Sequence, residues 1–150
     1  MTKSSPQRKD GQNYAPTSSV TKVVVKPDEF VFAAAYLEHG HIYGQCNGLI
    51  EAGGTLKRVY DPDVRRLKAF KVQYPHVEVV DSFEKLLEDH SVHTVVSAAI
   101  PSERAGIGMK VLDSGKDYFT DKSPFTTLEQ LDEVKARVTK TGRKYMVYYS

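Results

Sequence analysis

Lys122 is the side chain in this sequence best placed to do chemistry. It follows the apolar-centred run DYFTD, is flanked by Asp121, and is followed two residues later by Pro124. A lysine held and partly desolvated at the end of a strand can have its pKa tuned for proton transfer, or can hydrogen-bond a substrate oxygen. The plainer alternative is a lysine of an ordinary surface loop. Asp61 closes another such run, TLKRVYD, and stands 21 residues after Gly40. That is close to the spacing at which a carboxylate accepts hydrogen bonds from a ribose diol, although a helix N-cap before Pro62 is the competing reading. Arg65 and Arg66 follow within a turn, where they either meet a 2′-phosphate or lie exposed on a helix.

Other reactive types read as structural. His39-x-His41 has the look of a metal pair, but no third ligand joins it, and two turn imidazoles rarely suffice for zinc, so no metal is expected. Cys46, the single cysteine, reads as a packed thiol in a helix. Tyr145, Tyr148 and Tyr149 alternate with Met146 and Val147, a pattern of sheet packing.

These residues sit on a regular alternation of elements. From Phe30 onward, short apolar runs alternate with amphipathic segments to the end of the chain. Six strands are predicted: Phe30–Tyr36, Thr55–Asp61, Val77–Val80, His93–Ile100, Asp117–Asp121 and the terminal KYMVYYS. The intervening helices have readable ends. The first runs from about His41 to Ala52 and stops at Gly53-Gly54, and Ser82 and Ser102 serve as N-caps. Thr126 and Glu129 have capping-box spacing before a helix that turns Leu128, Leu131, Val134 and Val138 inward and ends at Gly142. After Asp61, Pro62 starts a helix with Val64, Leu67 and Phe70 on one face. Six strands joined by short helical crossovers specify an α/β fold, a doubly wound parallel sheet of Rossmann type in the order 3-2-1-4-5-6.

In such a sheet ligands bind outside the carboxyl ends of the strands, where the order reverses. That rule gathers Leu37 to His41, Asp61, Ile100 to Arg104 and Asp121 to Phe125 around one cleft. A dinucleotide site there wants the turn G-x-G-x-x-G, so that the backbone approaches a pyrophosphate. At the equivalent offsets this chain has Tyr36, Glu38 and His41, with a single glycine at position 40. Glu38 would repel phosphate if it pointed inward, and a protonated His41 would attract it.

The runs AAYLEHGHIYGQCNGLIEAGG, RVYDPD, VVSAAIPSERA, DSGKDYFTDKSPFTTLEQL and TGRKYMVYYS resemble the nucleotide-binding half of the Gfo/Idh/MocA oxidoreductases over about Phe30 to Ser150. SGKDYFTDK is similar to that family's G-K-x-x-x-x-E/D-K-P motif, with Ser123 intervening before Pro124. The resemblance implies a domain that binds NAD or NADP, with Asp61 leaning the choice to NAD. It implies hydride transfer at a hydroxyl-bearing carbon of a polyol or sugar-like substrate. Lys122 takes the position of the active-site lysine and Asp61 that of the ribose carboxylate. His39, Gly40, His41 and Ile42 match a variant phosphate turn similar to N-H-x-H-I-Y-G, with Glu38 in place of its Asn, and Leu37 just before it is expected to join them at the cofactor. Ala99, Ile100 and Pro101 fall beside the nicotinamide, with Asp121 and Lys122 opposite. Family members carry a second α/β domain that supplies most of the substrate pocket; it is expected to be missing here, which would leave the chain incomplete as an enzyme.

Composition narrows the rest. The chain has 150 residues and a formal charge of +2, but residues 1–28 hold five Lys/Arg against two Asp, while 29–150 hold 16 basic and 17 acidic residues. The folded part therefore has no basic excess for nucleic acid, and no apolar run is long enough for a membrane span. Residues 1–28 read as a flexible tail or arm, with VTKVVVK as a short extra strand or extended segment, and 29–150 as the dinucleotide-binding domain. A lone cysteine and a polar N-terminus point to the cytoplasm. The aromatic terminal strand would be an exposed edge open to self-association. Two functions remain: the cofactor domain of an oxidoreductase, and a non-catalytic Rossmann-fold binding or interaction module, which the unusual turn at Tyr36 and Glu38 favours. A methyltransferase lacks its Gly-rich acidic motif here.

Overall fold

The computed structural model describes residues 22–149. The elements run β1 (Val31–Ala35), α1 (His41–Glu51), β2 (Thr55–Tyr60), α2 (Val64–Gln73), β3 (Glu78–Val79), α3 (Phe83–Leu87), β4 (Thr94–Ser97), α4 (Pro101–Asp113), β5 (Asp117–Asp121), α5 (Leu128–Thr141) and β6 (Tyr145–Tyr148). All neighbouring strands pair in parallel, in the order β3-β2-β1-β4-β5-β6. The Rossmann arrangement expected from the alternation is the one that forms.

Strand β1 shows why both faces must be covered, since all five of its residues are buried. Val31, Ala33 and Ala35 turn to one face, where they meet Phe83 and Leu86 of α3 and Ile107, Val111 and Leu112 of α4. Phe32 and Ala34 turn to the other, against Ile42 and Cys46 of α1 and Phe70 of α2. The period of two along the strand thus divides the core into two layers. Cys46 is fully buried, and burial pushes its thiol up to about 12, so it packs rather than reacts.

Helix ends differ in detail from expectation. Asp63, not Asp61, caps α2, its carboxylate accepting the Arg65 N–H at 2.8 Å. Ser102 does not cap α4: Ile100 is the N-cap and Pro101 the first helical residue, where its fixed φ is already helical. The box at α5 lies one residue later than its spacing implied. Thr127 accepts the Gln130 N–H at 3.1 Å, and the Gln130 side chain accepts the Thr126 N–H at 2.8 Å. Leu128 and Val64, expected inward, are 79% and 60% exposed; each is the first residue of its helix. Residues 22–26 form no strand; Val24 donates to the Ala52 carbonyl at 2.9 Å, which lays this segment along the end of α1. The rest of the expected tail, residues 1–21, lies outside the described residues.

The distance of α4 from the sheet is set by Gly108. A Cβ there would lie 2.5 Å from Tyr145 and 2.6 Å from Tyr118, ring atoms that cannot withdraw from a packed core. Gly106, two residues earlier, would meet nothing within 4 Å. Gly108→Ala should therefore destabilise the fold by about 1–2 kcal/mol through overpacking, while Gly106→Ala should stabilise it by about 0.5–1 kcal/mol through helix propensity. Urea denaturation of the two variants side by side measures the difference in sign.

Candidate active site

Where the strand order reverses, β1 and β4 lie side by side, and the segments that leave their carboxyl ends bound a crevice. The turn after β1 is built without the usual glycines. Tyr36 takes φ 57°, the left-handed conformation a first glycine would otherwise supply. That conformation costs a bulky residue about 1–2 kcal/mol, offset here by edge-on packing of its ring against Tyr60 and Phe83 at 5.6 and 5.1 Å. Burial, first of all, pushes its hydroxyl up to about 12.

Asp61 holds this turn from below. Its side chain has no exposure; Oδ2 accepts the Leu37 N–H at 2.7 Å, Oδ1 accepts the Asp63 N–H at 2.7 Å, and Arg66 Nε donates at 3.0 Å. The carboxylate thus ties the end of β2 to the turn after β1, and Arg66 stands between it and solvent. Arg65 pairs with Asp63 at 2.9 Å, so both arginines weighed for a 2′-phosphate are engaged with carboxylates.

The remaining sequence-selected residues fall into place around this crevice. His39 N–H donates to the Ala98 carbonyl at 3.0 Å, pinning the turn to the end of β4. Gly40 is the N-cap of α1 in an ordinary right-handed conformation, and a Cβ built on it would meet nothing within 4 Å. The fold makes no demand for glycine there. Ile100 is 46% exposed at the mouth beside Pro101, whereas Leu37, Ile42 and Ala99 are buried at 7%, 0% and 0% and shape the floor.

Asp121, buried at the end of β5, gathers the second half of the site. Its Oδ1 accepts the Lys122 N–H at 2.8 Å and faces His41 Nδ1 at 2.9 Å, while Oδ2 lies 3.4 Å from His39 Nδ1. Sequence alone showed no third group beside the two histidines; the strand order, with β5 next to β4 and β4 next to β1, brings Asp121 to them. Lys122 is half-buried just beyond, and the Lys122–Ser123 peptide bond is cis.

Two polar residues complete the geometry: Arg104, which the sequence places at the cleft without a role, and Gln45, which it does not single out. Arg104, 3% exposed, donates from Nε to the Ala99 carbonyl at 2.7 Å and from Nη1 to the Ser123 carbonyl at 3.0 Å, with Nη2 at 3.5 Å from Asp121 Oδ2. Gln45, 1% exposed, donates to the carbonyls of Ser97 and Phe119 at 3.4 and 3.2 Å. Each breaks an apolar helical stripe, Arg104 ahead of Ile107 and Val111 and Gln45 between Ile42 and Cys46, and that interruption was the available signal. Glu38, in the turn after β1, is half-buried. Its Oε2 has no hydrogen-bond partner, and burial, with Asp61 and Glu103 nearby, raises its carboxyl above the usual range.

A doubly wound parallel sheet with a helix N-terminus at its switch point defines a dinucleotide-binding Rossmann domain. The chain belongs to the Gfo/Idh/MocA oxidoreductase family, as its NAD-binding Rossmann domain, the family model matching residues 32–149. Its fold is similar to that of an assigned oxidoreductase from Erwinia carotovora atroseptica SCRI1043, with 45% identity and a TM-score of 0.78 over 80% of this chain and 36% of that one. GenD2 from gentamicin A biosynthesis, solved in complex with NAD, shares the fold at 17% identity and a TM-score of 0.70, over 82% of this chain and 34% of that one. An assigned myo-inositol dehydrogenase from Sinorhizobium meliloti 1021 does so at 19% identity and 0.70, over 79% and 36%. The chain spans about a third of the length of these proteins. No curated protein matches it. Among the described residues, no helix is long and apolar enough to cross a membrane.

Replacing Arg104 tests whether this junction holds the site. Arg104→Leu leaves a buried carboxylate and two carbonyls without their donor and should cost about 3 kcal/mol in urea denaturation. Arg104→Lys should recover little, because an ammonium cannot span Ala99, Ser123 and Asp121 together.

Proposed function

We propose that this chain binds NAD in the crevice between β1 and β4 and serves hydride transfer at a hydroxyl-bearing carbon of a polyol or sugar-like substrate. The observation that carries the reading is Gly40: a glycine at a helix N-terminus with open space where its side chain would be, in a turn fixed by Asp61 and Ala98. Backbone that a ligand must approach closely needs such a residue, and the start of α1 favours a pyrophosphate. NAD is preferred over NADP because Arg65 and Arg66 are already paired with Asp63 and Asp61. For Asp61 to reach a ribose, Arg66 must give way; otherwise it acts through the turn it holds.

When bound, a nicotinamide supplies or accepts the hydride. The part left to the protein is the proton and the orientation. Lys122 holds the substrate hydroxyl and moves its proton at Nζ, while Asp121 and Arg104 fix the backbone on either side of it. Ile100 and Pro101 form the opposite lip. Residues that complete the substrate pocket, and with them turnover, are taken to come from a second domain. The setting expected for such a protein is the cytoplasm.

Glu38 favours the second reading, a Rossmann-fold module that has lost its cofactor, because a carboxylate in the phosphate turn opposes a pyrophosphate. Titration with NADH and NADPH by fluorescence or calorimetry separates the two. Saturable binding, tighter for NADH, supports the first reading; none at millimolar cofactor sinks it. Under the first reading, Gly40→Val should abolish binding without loss of fold, and Glu38→Gln should tighten it about fivefold, roughly 1 kcal/mol of relieved repulsion.

A further inference from the structure

We propose that His39, His41 and Asp121 form a binding site for one divalent transition-metal ion. Each offers one ligand atom, and the three atoms lie within 4.8 Å of one another. Ligands about 2.0–2.1 Å from a tetrahedral ion stand roughly 3.3 Å apart. The two histidine Nδ1 atoms are 2.9 and 3.4 Å from different Asp121 oxygens, Oδ1 and Oδ2, so closing on an ion takes both carboxylate oxygens or a shift of one ring.

The cluster has further marks of a built site. Asp121 is held in place by the Lys122 N–H and by Arg104, so its carboxylate does not have to be ordered when a metal arrives. His39 Nδ1 accepts the His41 N–H at 3.2 Å, which places its ring proton on Nε2; coordination takes over that Nδ1 lone pair and releases the His41 N–H. The His39 and His41 side chains are 55% and 31% exposed, so the ion has an entry path and keeps a side open to water. Two imidazoles and one carboxylate select zinc, cobalt, nickel or iron over magnesium and calcium, which prefer all-oxygen sites. Binding displaces the proton that His41 shares with Asp121. Arg104, 3.5 Å from Asp121 Oδ2, opposes the added charge and lowers the affinity. The site does not rest on the cofactor reading, and its test uses no dinucleotide.

Titrating the full chain with Co²⁺, followed by its ligand-field absorption, and with Zn²⁺ by calorimetry should show one ion per chain. Asp121 is buried and its variants risk unfolding, so the exposed histidines carry the test. His39→Ala and His41→Ala should each weaken binding about tenfold or more, and His76→Ala and His90→Ala should leave it unchanged. Absence of saturable binding at millimolar Co²⁺ and Zn²⁺ overturns the proposal. So does undiminished binding by the His39→Ala/His41→Ala double variant, or loss of binding in His76→Ala or His90→Ala.

Discussion

A buried carboxylate has to be neutralised where it lies, and at the end of β5 that requirement organises everything around it. Asp121 draws Arg104 out of α4, and the same guanidinium then ties the end of β4, through Ala99, to the segment after β5, through Ser123. It also draws the two histidines of the β1–α1 turn and the backbone of Lys122. Three chain segments distant in sequence, 39–41, 99–104 and 121–123, therefore converge on one charge. Asp61 does the same on the other flank, binding Leu37 and Asp63 through their amides and Arg66 through its side chain. The crevice between them is an outcome of satisfying two acids that cannot reach water.

The sheet was legible because its signals are local and redundant. A run such as HTVVSAAI has no face to show to solvent, and the alternation of such runs with amphipathic helices leaves few topologies. Boundaries were less so. Ala98 and Ile100 read as strand, yet Ala98 exchanges hydrogen bonds with Tyr36 and His39 of the turn, and Ile100 becomes the N-cap of α4. Nothing in an apolar run says where the ladder ends.

The site was legible by position and illegible by partner. Asp61, Asp121, Lys122 and Gly40 could be chosen because strand ends and one glycine mark a switch point. That Asp121 would face His39 and His41 depended on bringing together residues 80 apart, which no spacing rule reports. Gln45 was passed over, and Arg104 was placed at the cleft without a role, because a polar residue in an apolar stripe stands out only once the stripe is known to be buried.

The two edges of the sheet are unequal. β3 is only two residues long, while β6 runs for four residues, two of them tyrosines. A sheet with two long edges can be extended head to tail without end; one with a single usable edge cannot. Among the described residues the backbone this sheet leaves open to a further strand is therefore lopsided, two residues along β3 against four along β6, which weighs against head-to-tail growth.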